Sequence, residues 1–228
     1  RIIVVEGNVA AVHYVLQGRH TGTAYGQAPA LGHNIQAYSG EVFEFDAQGL
    51  MRKLTTITQL DQVMAEALGE RTSAKPECYT LRKIEARDDP ATSAARRTLT
   101  RLHMHFNAGQ TDAMAALFDP AVVEDRNGRL THGRGAVVAA MLAYRDGFSG
   151  LTLNDEYVLV EGHRGAVEYN MVGVHDGKHT APNGCILPPT HKAVRVRGIQ
   201  FFELNPEGLI TSVITVSNPQ DFVQQIVR

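Results

Sequence analysis

The chain has 228 residues, 43% of them hydrophobic and 20% charged, with a formal net charge of -2; that length and balance suit two globular units of common size. Near-zero charge leaves no electrostatic footprint for nucleic acid or an anionic membrane, no apolar run approaches the roughly 20 residues that span a bilayer, and no signal peptide is visible. Cys78 and Cys185 are the only cysteines; too few and too far apart for a disulfide framework or a cysteine zinc site, they read as free thiols of a reducing, cytoplasmic compartment.

In chain order, strand-like sequence runs to about Ile57, a helix is predicted from Asp61 to Leu68, and Gly69 stops it. Residues 70–88, with Lys, Arg, Glu and Pro76, read as a linker carrying one strand-like stretch at 78–84. From about Asp89 a longer helix follows: Ala95, Leu99, Leu102 and Phe106 recur at helical spacing and make one apolar stripe, ended by Asn107-Ala108-Gly109. A short helix from Thr111 buries Met114, Leu117 and Phe118 before Asp119-Pro120 breaks it. Residues 121–125 read as a short strand, and 133–144 as a third helix with Val137, Met141 and Tyr144 on one side. Strands are expected at 153–160, 166–175, 192–204 and 209–216 from their β-branched and aromatic content, separated by turns such as Asn205-Pro206-Glu207-Gly208. A last helix opens at Asn218-Pro219, a capping residue followed by Pro at the first helical position. Helices first and an antiparallel meander afterwards make the class α+β.

The chain also repeats itself. Residues 5–22, VEGNVAAVHYVLQGRHTG, reappear without a gap as VEGHRGAVEYNMVGVHDG at 160–177, with Gly7, Tyr14, Gly18 and His20 matched to Gly162, Tyr169, Gly173 and His175. After a four-residue insertion the match resumes, with FEFDAQGL at 43–50 facing FELNPEGL at 202–209. The spacing far exceeds a solenoid period, so a duplicated domain is expected: a sheet half at 1–69, the linker at 70–88, and a complete unit at 89–228. The first copy lacks the helical half. A sheet without its covering helices would expose a large apolar face, so those helices are expected on the native polypeptide or on another chain.

The motif Gly-x-His-x-Gly, followed by a loop and a strand, is where a family resemblance becomes specific. The first copy has Gly18-Arg19-His20-Thr21-Gly22 with Gly26 and Pro29-Ala30-Leu31-Gly32. The second has Gly173-Val174-His175-Asp176-Gly177, Leu187-Pro188-Pro189-Thr190-His191, the strand 194–202 and the turn Glu207-Gly208-Leu209-Ile210. In this order the chain resembles SnoaL-like polyketide cyclase domains of the nuclear transport factor 2-like superfamily, in tandem. The resemblance implies a curved antiparallel sheet wrapped around helices into a cone with a largely apolar pocket. It also implies cofactor-free cyclisation, isomerisation or hydrolysis of a small apolar molecule, or binding alone, since fold does not choose chemistry.

Cofactor-free aldol closure needs a base to remove a carbon-bound proton and a donor for the enolate oxygen. In the cyclases this chain resembles, an Asp at the end of the last long strand does the acid/base work. Here the nearest positions are Thr56 or Gln59 and Thr215 or Asn218, none acidic. Substitutes are His103, on the flank of the apolar stripe, and Glu124 or Asp125, of which strand alternation puts one inward, where burial would raise its pKa. Tyr169, Asn170, His175, Thr215 and Asn218 are candidates for positioning substrate. Competing structural roles are core packing for Tyr14 and Tyr169, loop roles for His20 and His175, and helix capping for Asn218. His175 and His179 have ligand-like spacing, but a loop separates them and no third ligand is evident, so neither metal nor cofactor is expected. The other expectation is a binding or assembly module whose two sheets pack into an internal pseudo-dimer.

Overall fold

The computed structural model describes residues 2–22, 31–70, 90–126, 128–180 and 186–227. The expected linker beyond Glu70 with its strand-like stretch, Gly26, Pro29, Ala30 and both cysteines lie outside these residues. Strands β1 (Ile2–Glu6), β2 (Val9–Arg19), β3 (Asn34–Phe45) and β4 (Met51–Thr58) form a four-stranded antiparallel meander, closed by helix α1 (Leu60–Ala67). Helices α2 (Pro90–Asn107) and α3 (Thr111–Ala115) lead into β5 (Phe118–Arg126) and β6 (Arg129–His132), and α4 (Arg134–Gly147) leads into β7 (Phe148–Glu161) and β8 (Arg164–His175). A two-residue pair, β9 (His179–Thr180) and β10 (Ile186–Leu187), precedes β11 (Lys192–Leu204), β12 (Ile210–Ser217) and α5 (Pro219–Val227). The second sheet has the order β6-β5-β12-β11-β8-β7.

Two expectations need correction. The sheet is mixed, because β5, supplied by the helical half of the unit, runs parallel to β12. Phe118 opens β5 instead of closing a helix: the strand passes through Pro120, which has no N–H to give, and the pairing skips from Ile210 opposite Phe118 to Ser212 opposite Val123. Strand β6 was not foreseen; it is mostly exposed and has no alternating apolar pattern.

One face of the second sheet, here the inner face, is covered by helices. The stripe Ala95, Leu99, Leu102 and Phe106 of α2, with Val137 and Met141 of α4, buries Val160, Val167, Tyr169, Phe202 and Val213. The outer face carries Leu159, Ala166, Ile199, Phe201 and Val216 against Ile2, Val4, Ala11, Val42 and Ile57 of the first sheet. Repeat-matched residues trade hydrogen bonds across this contact: Val5 N–H donates to Glu161 Oε2 at 3.1 Å, and Val160 N–H donates to Glu6 Oε2 at 3.1 Å. The strand registers match too. Tyr14 faces Ser39 as Tyr169 faces Gly198, Ser39 faces Thr58 as Gly198 faces Ser217, and bulges fall at Glu44/Phe45 and Glu203/Leu204.

Candidate functional site

Beneath α2 the inner face of the second sheet carries a continuous line of polar side chains through otherwise apolar core. His103 stands one residue past Leu102 on α2, and its ring is buried. Its Nδ1 is 2.5 Å from Asp155 Oδ1, and its Nε2 is 2.9 Å from Gln200 Oε1. Gln200 Nε2 donates to Thr215 Oγ1 at 3.2 Å, and Thr215 Oγ1 donates to Glu124 Oε1 at 3.1 Å. Arg126 donates through Nη2 to the same Glu124 oxygen at 2.6 Å, and its guanidinium lies 5.2 Å over the Tyr144 ring.

Hydrogen-bond directions along this line follow from its ends. An ionised carboxylate only accepts, so the Thr215 hydroxyl gives its proton to Glu124 and receives one from the Gln200 amide nitrogen. That turns the Gln200 oxygen toward His103, so Nε2–H donates to it while Nδ1 meets Asp155. The Asp155–His103 contact and the Glu124–Arg126 ion pair are thus joined by one amide and one hydroxyl. Paired and bonded in this way, charges tolerate enclosure that would be very costly for either alone.

Three local features set the geometry. In the β7–β8 pairing Asp155 faces Tyr169 and Tyr157 faces Glu168, so Glu156 is an extra residue; this bulge leaves Asp155 on the inner face beneath His103. Gly198 leaves room for the Tyr169 ring, whose Oη would lie 2.4 Å from a Cβ built there. The Tyr169 ring meets His103 edge-on at 5.1 Å, and burial pushes its phenol pKa up to about 12, keeping it protonated and able to donate. Burial works against the charge of Arg126, but Tyr144 and Glu124 more than offset it, and the guanidinium pKa is raised.

The line ends in an unused group. Glu124 is 1% exposed, and its second oxygen, Oε2, is buried with no hydrogen-bond partner among the described residues. Thr215 lies near the end of β12. Here the neighbouring strand β5 brings a carboxylate to that hydroxyl.

Of the residues proposed from sequence, the structure brings His103, Glu124, Tyr169 and Thr215 together. Asp125 points away and accepts the Gly128 N–H at 2.8 Å in the β5–β6 turn. Asn170 lies on the outer face, donating to Glu156 Oε1 at 2.7 Å, and Asn218 flanks α5, donating to Asp221 at 3.0 Å. His175 is fully buried apart from the polar line, among Phe148, His179 and Phe222, with Nδ1 3.1 Å from Thr190 Oγ1. Sequence reasoning missed Asp155, Gln200, Arg126 and Tyr144. For Arg126 a signal existed, since it shares strand parity with Glu124; the others become visible only once distant segments are paired. Among the described residues no group of three His, Cys, Asp or Glu side chains is placed to hold a metal ion, and no helix is long and apolar enough to cross a membrane.

Among curated proteins none matches this sequence. Solved structures do match. A protein assigned as a SnoaL-like polyketide cyclase from Jannaschia sp. CCS1 is 20% identical with a TM-score of 0.55, and the match covers 62% of this chain and 97% of that one. A protein assigned as a polyketide cyclase from Xanthomonas campestris pv. campestris is 27% identical with a TM-score of 0.52, covering 60% and 98%. Another so assigned, from Silicibacter sp. TM1040, is 24% identical with a TM-score of 0.52, covering 61% and 100%. The model of the SnoaL-like domain matches residues 99–213, just over half of the chain and all of the polar line but Thr215, so the protein belongs to the SnoaL-like domain family.

Proposed function

We propose that the second unit is a cofactor-independent acid/base catalyst acting on a small, mostly apolar carbonyl compound held under α2, in the manner of a cyclase or isomerase. The observation that carries this reading is the buried, unpartnered Oε2 of Glu124, at the end of a hydrogen-bonded line that already satisfies its other oxygen. A buried acceptor left open in this way asks for a donor. In the proposed reaction Glu124 removes a proton from carbon next to a carbonyl, and the phenol of Tyr169 hydrogen-bonds the enolate oxygen that forms. In isomerisation the protonated Glu124 returns the proton to a different carbon. In cyclisation the carbanion attacks a second carbonyl of the same molecule, and the alkoxide takes the proton. His103 with Asp155 forms the second proton-holding pair, and Arg126 holds the other oxygen of Glu124 in place.

The test is deuterium exchange at the α-carbon of small cyclic ketones and β-diketones, followed by NMR in D₂O. The protein should accelerate exchange, and Glu124→Gln should lower the rate by about 10²-fold or more while the melting transition remains cooperative. Exchange no faster than buffer, or a Glu124→Gln variant as active as the parent, would overturn the reading.

An assembly role is supported by a separate observation. We infer that units 1–69 and 89–228, joined by residues 70–88, arose by duplication and form an internal pseudo-dimer. The reciprocal bonds of Glu6 to Val160 and of Glu161 to Val5 are what an isologous interface between two copies would leave. Glu6→Ala combined with Glu161→Ala should loosen the sheet contact and speed amide exchange in β1 and the end of β7. Unchanged protection there would count against it.

A further inference from the structure

The repeat makes a second comparison possible, at the outer end of each sheet where the last helix meets the third strand. In the first unit Gln36, Tyr38, Gln59, Gln62 and Glu66 meet there. Glu66 of α1 accepts the Gln36 backbone N–H and the Gln62 amide, and all but Tyr38 are almost completely buried. The matched residues of the second unit are Arg195, Arg197, Asn218, Asp221 and Gln225, and the framework is the same. Gln225 of α5 accepts the Arg195 backbone N–H at 2.8 Å and returns a bond to the Arg195 carbonyl at 2.9 Å. What fills it is different. Two arginines replace neutral side chains, and a cleft of about 660 Å³ opens between them and strand β4.

We propose that this cleft binds an organic anion, a phosphate or carboxylate head group on a small apolar body, with Arg195 and Arg197 as its recognition residues. Each arginine is anchored through its own Nε. Arg195 Nε donates to Asn170 Oδ1 at 3.3 Å, and Arg197 Nε lies 3.5 Å from Glu168 Oε1. Neither terminal pair of guanidinium nitrogens has a partner among the described residues. An arginine anchored at Nε presents its remaining N–H groups as a fork, the geometry that grips a two-oxygen edge of phosphate or carboxylate. The two residues share the outer face of β11, two positions apart, so both forks border one volume.

Glu168 behind Arg197 does not cancel that charge fully. Its side chain is completely buried, and burial raises its pKa against the lowering pull of Arg197, Lys53 and the Thr55 hydroxyl. Asp221 is the other acid at the cleft, and it is engaged by the Asn218 amide. The apolar body has a wall to rest on, since Ile57 and Leu60 line the side formed by β4 and α1. The volume lies within the range of about 300–1,000 Å³ usual for small-ligand pockets. The cleft is on the outer face, away from Glu124, so it is a separate site from the acid/base line.

The test is an ¹H–¹⁵N NMR titration of the whole chain with inorganic phosphate, phenyl phosphate and benzoate, ionic strength being held constant with sodium chloride. Saturable shifts are expected at residues 54–57, 170 and 195–197, and phenyl phosphate should bind several-fold more tightly than inorganic phosphate. Arg195→Gln with Arg197→Gln should weaken phenyl phosphate at least tenfold, whereas His103→Ala should leave it unchanged. Arg195→Lys with Arg197→Lys keeps the charge and loses the fork, and should fall between. If one head group alone binds, phosphate or carboxylate is assigned accordingly. Shifts that do not saturate, that sodium chloride reproduces, or that survive in the double glutamine variant would overturn the site. Lysine variants equal to the parent would overturn the fork geometry, and equal affinity for the two phosphates would overturn the apolar wall.

Discussion

The inner face of the first sheet and that of the second share strand register, bulge position and a tyrosine, yet one is open and the other is covered by α2 and α4. Val5 is 40% exposed where its counterpart Val160 is 3%, and Leu54 is 46% exposed where Val213 is 3%. The polar residues at matched positions differ accordingly. On the open sheet Tyr14 donates to Glu41 at 2.7 Å and Thr56 donates to the same carboxylate at 3.3 Å, with no cation needed because water reaches the group. On the covered sheet the position of Glu41 is held by the neutral amide of Gln200, and the acids of the polar line each meet a basic side chain. Covering a sheet therefore changes which residues can stand on it. An acid tolerated in water becomes an amide, and new acids arrive only with a histidine or an arginine.

Separating one of these pairs should have the largest effect. Arg126→Ala leaves the enclosed Glu124 without its cation, at a cost of about 3–5 kcal/mol, which thermal unfolding should register as a large fall in Tm. The comparison is Arg164→Ala, which removes the wide, solvent-exposed 3.7 Å pair with Glu203 and should cost less than about 1 kcal/mol. Similar losses for the two variants would mean that the buried pair is not held as described.

Next come the glycines that let the cover fit. A Cβ on Gly165 would lie 2.2 Å from Leu99 Cδ1 of α2, and one on Gly198 would lie 2.4 Å from the Tyr169 ring. The matched residues of the open sheet are Ala10 and Ser39, where no helix presses down. Gly165→Ala and Gly198→Ser should each destabilise by about 1–3 kcal/mol through overpacking. Ala10→Gly should cost no more than about 1 kcal/mol, through chain entropy alone. Denaturant midpoints would separate the two cases, and tolerance of both glycine substitutions would show that α2 sits farther from the sheet.

These contrasts also explain what the sequence disclosed. Helix α2, the four long strands and α5 were legible because their apolar spacing is local, and the repeat was legible because its glycines and tyrosines hold fixed register. Of the acid/base line, His103 and Glu124 were found by parity within one element. Asp155 and Gln200 lie 52 and 97 residues from His103, and only strand pairing brings them to it. Asp155 was further hidden by a bulge, since strict alternation along β7 cannot show where an extra residue shifts the facing. Asn170 and Asn218 fell outside the line because sequence parity separates two faces without saying which one the helices cover.

A smaller effect is expected on the open sheet itself. Glu41→Gln, which gives the first sheet the residue of the second, should change stability by no more than about 0.5 kcal/mol. Burial raises the Tyr14 phenol pKa and the bond to Glu41 raises it further, so the spectroscopic titration of Tyr14 should move to lower pH in this variant. An unmoved titration would remove Glu41 from the account.

The smallest expected effect lies at the far end of the covered sheet, where His175 and His179 sit among Phe148, Phe222 and Tyr144. Burial lowers both pKa values. Asp176, held by the Ser149 N–H, pulls that of His175 back up, while His191 depresses it and His175 depresses that of His179. A base with a depressed pKa in the folded chain binds more protons when unfolded, so its contribution is fully present above the unfolded value of about 6.5 and is lost as pH falls through the folded value. Stability should therefore decline on acidification below about pH 6.5, with α5 the element to loosen, because Phe222 packs on both imidazoles. His179→Phe keeps the ring contacts and removes one titrating group, so it should flatten that decline while leaving stability near pH 8 almost unchanged. An equally steep decline in the variant would place the acid sensitivity elsewhere, with the paired carboxylates under α2 the next groups to examine.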